Sequence, residues 1–287
     1  MGGEKLTRMG ECMANNIQKV DPAVGEFLTV AKDSTGAALG GAIGFLANAA
    51  GAGLGGAAMA AGAGIMIASG IYLMARDYVG RTVSSREQFK VAVALVITTN
   101  KIAEDIANGR QVRNDGFFDP GVERRSRFDE VLESVLLKCQ RESQEKKIPF
   151  VSNIFREASF EASYSIGEIN IFAKIAESLT WEQLCLLSLL ERNDPDNKNG
   201  LLSTDYREVH LTNDRIYSIL RQMFGLYDEE LVEQPFENSP NNEALFNSVD
   251  ISPGRMRLSD HGKRLFRIMD LDSIDPAEYS DLVRLLK

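Results

Sequence analysis

The chain has 287 residues, a formal net charge of −9 at pH 7 and charged side chains at 25% of its positions. This length allows one or two domains, and the negative balance excludes a general nucleic-acid footprint and a polybasic lipid anchor. Cys12, Cys139 and Cys185 lie far apart and lack the C-x-x-C spacing of metal or redox sites. We expect them to be reduced packing residues, which suits a cytoplasmic location for the soluble part of the chain.

Residues 1–33 form an N-terminal arm with one strongly periodic segment. Its apolar residues recur at three- and four-residue steps: Leu6, Met9, Met13, Ile17 and Val20. This spacing predicts an amphipathic helix, which Pro22 ends. Two placements stay open, on a membrane surface or packed against the rest of the protein, and we favour the second.

Between Asp33 and Arg76 the chain carries no charge for 42 consecutive residues, and 25 of these are Gly or Ala. A helix needs about 20 apolar residues to cross a bilayer, so residues 34–75 predict two crossings joined by a tight turn. Small residues recur at four-residue steps in both halves: Gly36, Gly40 and Gly44, then Gly56, Ala60, Gly64 and Ala68. We call these seven residues the glycine zipper. Because helices in lipid associate through close backbone approach, they predict helix packing and oligomerisation.

The large apolar residues of the run, including Ile67 and Ile71, are expected to face lipid, with Tyr72 near the interface. Thirteen such residues contribute about 4 to 8 kcal/mol to insertion, at about 0.3 to 0.6 kcal/mol each. Eleven glycines raise the entropic cost of forming the helices. Insertion of one hairpin is therefore marginal, which predicts self-association and allows conditional insertion. The alternative is a buried Gly/Ala-rich hairpin inside a soluble protein.

Residues 76–179 read as a helical body. Ser84-x-x-Glu87 matches a capping box and opens a helix that runs to Gly109. Residues 91–97 are apolar on all sides, but Lys90 and Lys101 bracket them too closely for a crossing, so we expect them in a protein core. Asp119-Pro120 predicts the start of a second helix, whose buried face is Phe128, Val131, Leu132, Val135 and Leu136. Shorter helices are predicted over 149–160 and 163–178.

Residues 180–287 mix helices with turns. Thr180-x-x-Gln183 opens a predicted helix over 181–192, and further helices are predicted over 213–224 and 263–269. The segment 226–236 and a polar loop lie between these two helices. Leu258-Ser259-x-x-Gly262 stands just before the last of these helices. This step resembles the winged-helix fold, in which a wing strand ends in Leu-Ser/Thr-x-x-Gly and caps the next helix. The resemblance covers about 90 residues and records a strand-to-helix turn rather than any chemistry.

The resemblance implies a recognition helix carrying Arg215 and Arg221 and a wing carrying Arg255 and Arg257. These four arginines are the candidate contacts to DNA or to a partner protein. Residues 180–287 hold 12 basic and 20 acidic residues, a balance of −8. A phosphate-binding domain should show the opposite sign. We therefore expect nucleic acid not to be the partner and interpret this region as a protein-contact or structural unit.

No pattern in the chain predicts a metal or a cofactor. Asp194, Asp196, Lys198, Asn199 and Gly200 approach a calcium loop, but Lys stands at its fifth place, Gly at its seventh and Asp205 at its twelfth. We interpret this segment as a polar turn.

Catalytic motifs are missing as well. His210 and His261 neighbour no nucleophile motif. Gly51-x-Gly53-x-x-Gly56 fits the dinucleotide pattern without the strand before it or the acidic residue after it. We expect no catalytic residues and no enzymatic activity.

The sequence thus predicts a mainly α protein with an N-terminal arm (1–33), a two-helix membrane hairpin (34–75), a helical body (76–179) and a winged-helix-like α+β region (180–287). Its architecture resembles toxins and antiphage effectors that couple a sensing body to a membrane hairpin. The predicted function is an oligomerising, pore-forming or membrane-perturbing protein, with the bilayer, copies of itself and a protein trigger as partners. Both flanks of the hairpin would lie in the cytoplasm, where Lys19, Lys32, Arg76 and Arg81 flank it. The alternatives are a membrane-tethered winged-helix regulator or interaction module, and a soluble scaffold with a Gly/Ala-packed core.

Overall fold

A computed structural model of the chain describes residues 67, 70–75, 77, 84–120, 125–193, 197–206, 214–235 and 247–287. The N-terminal arm, the glycine zipper and His210 lie outside these residues. The described part is mainly helical with one two-stranded sheet, which confirms the predicted mainly α class. Within the described ranges, no helix combines the length and the apolar character needed to cross a membrane. The chain divides into two compact units, a first that ends at Ser178 and a second of Leu179–Lys287.

Four helices build the described core of the first unit: α1 (Ser85–Ala107), α2 (Arg127–Arg141), α3 (Ile148–Phe160) and α4 (Ile166–Ser178). A 3-10 turn, Glu145–Lys147, precedes α3. Helix α1 packs on α2 and α3, and α4 packs on α2 and α3 as well. Residues 91–97 in α1 are completely buried. That burial confirms the prediction that this apolar segment belongs to a protein core.

The predicted capping box opens α1. The Ser84 backbone N–H donates to the Glu87 carboxylate at 2.8 Å, and the Glu87 N–H donates to Ser84 Oγ at 3.3 Å. Each residue satisfies a donor that the first helical turn leaves without a partner. The predicted position of this helix start is therefore confirmed.

The predicted start of the second helix at Asp119-Pro120 is wrong. Helix α2 begins at Arg127, with Ser126 as its N-cap and Asp129 completing a capping box. Pro120 lies in extended backbone instead and forms an isolated antiparallel bridge with Ser126. The cap decides the position, because Asp at the third helical place accepts the Ser126 N–H as Glu or Gln would. The predicted buried face of α2, from Phe128 to Leu136, is confirmed.

The second unit contains α5 (Trp181–Asn193), α6 (Asp214–Asp228), β1 (Val232–Glu233), β2 (Arg257–Leu258), α7 (Asp260–Ile268) and α8 (Ser280–Leu285). Short 3-10 turns cover Ser248–Asp250, Pro253–Arg255, Leu271–Ser273 and Pro276–Tyr279. Strands β1 and β2 pair antiparallel, with Val232 opposite Leu258. The predicted helix over 213–224 is confirmed from Asp214 on, and it extends past Phe224 to Asp228. The helix continues through Gly225 because Met223 and Leu226 share its buried face, and the chain then turns at Glu230 (φ 57°) into β1.

The step from β2 into α7 explains the Leu-Ser-x-x-Gly pattern. Ser259 is the N-cap of α7, and its Oγ accepts the Gly262 N–H at 2.9 Å while donating to the Glu230 carbonyl at 2.6 Å. A Cβ at position 262 would lie 1.9 Å from the Leu231 carbonyl oxygen. Only glycine allows this approach of helix and backbone. The sequence pattern thus records how α7 packs against the chain before β1.

Candidate functional site

The described end of the charge-free run is helical and has one buried face. Ile67, Ile71 and Ala75 are 0 to 1% exposed and stand four residues apart, so they share one side of the helix. Tyr72 and Leu73 are 39% and 61% exposed. Ile67 and Ile71 were expected to face lipid, and this expectation is wrong for the described structure. Their four-residue spacing makes a narrow apolar face, which here is buried within protein.

Gly70 brings this helix against α2. A Cβ built at Gly70 would lie 2.4 Å from Cε1 of the Phe128 ring, which is too close for two carbon atoms that are not bonded to each other. The missing side chain therefore permits the contact. We call the packing of the helical residues 70–75 against the first turn of α2, at Gly70 and Phe128, the dock.

Neighbouring aromatic rings hold Phe128 in place. Its centroid lies 5.0 Å from that of Phe155, 5.3 Å from that of Phe118 and 6.2 Å from that of Phe117. Phe128 is itself 3% exposed. Since packed rings of this kind interlock and have little room to rotate away, an added side chain at Gly70 cannot be accommodated by moving the ring.

An open groove of about 320 Å³ lies beside the dock, lined by Gly70, Leu73, Met74, Asp77, Arg125, Asp129 and Glu133. Arg125 forms an ion pair with Glu133, whose hydrogen bond raises the pKa of the Arg125 guanidinium. Asp129 accepts the Ser126 N–H at 2.9 Å as part of the α2 cap. The lining therefore combines apolar side chains with three carboxylates and one guanidinium, and we call these charged groups the acidic rim. Its chemistry is that of a contact surface.

A buried charge cluster lies elsewhere in the first unit. Lys147 Nζ stands 2.6 Å from Glu142 Oε2, with side-chain exposures of 2% and 6%. Lys90 Nζ donates to the Glu142 carbonyl at 2.5 Å. Burial raises the pKa of the neighbouring Cys139 thiol far above its usual range, so this thiol is unreactive at neutral pH. The cluster joins α1, α2 and α3 from inside and offers no access to a ligand.

The four candidate arginines of the second unit lie on different elements. Arg215 and Arg221 are on α6, Arg257 is on β2, and Arg255 ends the turn Pro253–Arg255; all four are exposed. Arg215 pairs with the Glu182 carboxylate and Arg257 Nε lies 2.8 Å from Glu233 Oε1. These two guanidinium groups thus have acidic partners within the unit, which weakens their attraction for phosphate.

The exposed face of α6 carries one feature that the sequence analysis missed. Tyr217 is 47% exposed on this helix, between Asp214 and Arg221. An exposed tyrosine next to charged side chains is typical of protein-contact surfaces. The pattern of α6 held a usable signal, because Tyr217 lies off the buried stripe of Ile219, Leu220 and Met223.

The segment that approaches a calcium loop forms a polar turn where it is described. Asn197 has φ 47° and accepts the Leu201 N–H at 2.8 Å through its side-chain oxygen, which also accepts from the Asn193 amide at 3.0 Å. In the part of the chain that the structure describes, no three His, Cys, Asp or Glu side chains gather closely enough to hold a metal.

Comparison of the chain with known proteins gave no match, whether with protein families, with curated proteins or with solved structures. The function is therefore inferred from the sequence and from the geometry of the described residues.

Proposed function

We propose that this protein associates with membranes through residues 34–75, oligomerises through the glycine zipper and thereby perturbs the bilayer, with the two helical units as a regulatory body. The charge-free run of 42 residues is the observation that carries the proposal. It is about twice the length of one crossing, and its seven zipper residues fall at helical spacing in both halves. The proposed location is the membrane, with both flanks of the hairpin in the cytoplasm.

The described structure supports a link between the run and the body. Residues 70–75 are helical and Gly70 contacts Phe128 of α2. A membrane segment whose end packs on a folded body can transmit a change in that body. A protein trigger bound by the body is therefore part of the proposal.

Dye leakage from vesicles of phosphatidylethanolamine and phosphatidylglycerol tests the zipper. Gly40→Leu and Gly64→Leu add bulk to the zipper face without lowering hydrophobicity, so we expect both to abolish leakage by preventing close helix approach. Gly41→Leu is the matched control, because it makes the same change about 100° around the helix. Equal leakage from the wild type and all three variants would contradict zipper packing.

A soluble scaffold is the second candidate function. The burial of Ile67, Ile71 and Ala75 favours it, because these residues are covered by protein rather than available to lipid. In that case the Gly/Ala-rich run would form the core of a soluble assembly. Ultracentrifugation of a cell lysate separates the two functions, since a scaffold stays in the supernatant without detergent.

A membrane-tethered winged-helix interaction module is the third candidate. Its support is the order helix, strand, strand, helix in the second unit, with Ser259 and Gly262 at the strand-to-helix step. The charge balance and the paired Arg215 and Arg257 favour a protein partner over DNA. We expect no salt-dependent gel shift of duplex DNA by the full chain, and a shift abolished by Arg221→Glu would contradict this preference.

A further inference from the structure

We propose that the dock is releasable and controls the membrane segment: the helical residues 70–75 exchange between α2 and the lipid surface. This inference rests on the proposed function and adds its regulation. The dock holds the C-terminal end of the run on the first unit, so the fraction of released protein sets how much of the run is available to a bilayer.

Residues 70–75 are apolar on both sides of the helix, which favours exchange between protein and lipid. The inner face is buried through Ile71 and Ala75, while Leu73 is 61% exposed and Tyr72 39% exposed on the outer side. A surface helix that remains on a soluble body normally presents charged or polar residues to water. No charged residue occurs between Asp33 and Arg76. The outer side therefore suits lipid, and the inner side suits either lipid or α2.

The close approach of Gly70 to the Phe128 ring also favours exchange. Gly70 approaches the Phe128 ring so closely that a single added carbon would lie 2.4 Å from it. A contact that depends on one absent side chain is lost when the two backbones move apart by a small distance. The partner ring is fixed by its aromatic neighbours, so the displacement occurs at residues 70–75 and not in α2.

The charges at the groove give the helix a defined end. Asp77 is exposed at the groove, one residue after Arg76. Charged residues at this position stop the released helix at the interface, because burying them in hydrocarbon is costly. The groove beside Leu73 and Met74 has an acidic rim, which keeps anionic lipid away from α2 while the helix is docked.

The experiment uses the full chain and two readouts. Hydrogen exchange of residues 70–77 without lipid reports whether the dock opens, and flotation with the same phosphatidylethanolamine and phosphatidylglycerol vesicles reports binding. Gly70→Ala adds only the Cβ that meets Phe128. Gly167→Ala is the matched control, because a Cβ at Gly167 in α4 meets nothing within 4 Å.

We expect Gly70→Ala to speed exchange at residues 70–77 and to lower the lipid concentration at half-maximal flotation about tenfold, as an overpacked contact of ordinary cost would. Gly167→Ala should change neither readout. Unchanged exchange in both Gly70→Ala and Phe128→Ala would overturn the dock itself. Faster exchange with unchanged binding, while the wild type binds vesicles, would overturn the regulation and leave the proposed function standing. Absence of vesicle binding by every variant would overturn both.

Discussion

Replacing Lys147 with methionine should strongly destabilise the first unit. The Lys147 side chain is 2% exposed. Its ammonium group lies 2.6 Å from Glu142 Oε2 and donates to the Glu177 carbonyl at 3.2 Å. Lys147→Met fits the same space but leaves the Glu142 carboxylate, 6% exposed, without its cation. Removing one partner of a buried pair costs about 3 to 5 kcal/mol, because the remaining charge stays buried. The single variant should lose stability of this order.

The double variant Lys147→Met/Glu142→Gln separates the unpaired charge from lost packing. The Gln144 N–H now donates to Glu142 Oε1 at 2.7 Å, and the glutamine carbonyl can accept the same bond. With neither charge buried, most of the lost stability should return. Glu142→Gln alone should be destabilised as well, because the Lys147 ammonium then has no carboxylate.

Urea unfolding of the full chain measures these effects in both units. Far-ultraviolet circular dichroism follows the helices, whereas the only tryptophan, Trp181, lies in the second unit and serves as an internal control. At a slope of about 2 kcal/mol per M, the first transition should move by roughly 2 M. A loss below about 1 kcal/mol, or a double variant as unstable as Lys147→Met, would refute the reasoning about the buried pair.

Three further predictions concern single positions. Gly262→Ala should destabilise the second unit by about 1 to 3 kcal/mol in tryptophan-detected unfolding, because its Cβ would lie 1.9 Å from a backbone oxygen. Gly167→Ala has open space around it and should instead stabilise the first unit by about 0.5 to 1 kcal/mol. Equal losses of stability in the two variants would contradict the steric explanation. Burial raises the pKa of the Cys139 thiol, so a Cys12→Ser chain should react with a thiol reagent only after denaturation. Rapid reaction in the folded state would show that the core is accessible and would contradict this prediction. Hydrogen bonds from Ser84 lower the pKa of Glu87 from 4.5 to about 2. The stability that this lowered pKa contributes is complete above pH 4.5 and is lost as the pH falls toward 2, so the acid unfolding of Glu87→Gln should lack this component. Identical acid-unfolding profiles of the wild type and Glu87→Gln would contradict the prediction.

Local signals predicted helices well where the cap and the apolar pattern agreed. Helix α1 begins at its capping box, and α5 begins after Thr180, whose N–H donates to the Gln183 side chain at 2.9 Å. Both caps act within four residues, so sequence spacing is enough to find them. The core role of residues 91–97 was also predictable, because two flanking lysines limited the alternatives.

Contacts between distant residues could not be predicted in the same way. Arg113 is buried to 3% exposure of its side chain, pairs with Asp115 at 2.5 Å and donates to the Ala158 carbonyl at 3.0 Å near the end of α3. Arginine is usually exposed, and nothing in its neighbourhood signals a partner 45 residues away. The dock could not be predicted for the same reason, because it joins residues that are distant in sequence. Gly70 resembles any other glycine of the run until the Phe128 ring is placed against it.

Membrane fractionation of cells that express the full chain tests the proposal that residues 34–75 attach the protein to the membrane. After lysis, the membrane pellet is washed with alkaline carbonate and then dissolved in detergent. We predict that the protein remains in the pellet through the wash and is released only by detergent, because a charge-free run of this length partitions into hydrocarbon. Recovery of the protein in the high-speed supernatant before any detergent is added would contradict the account.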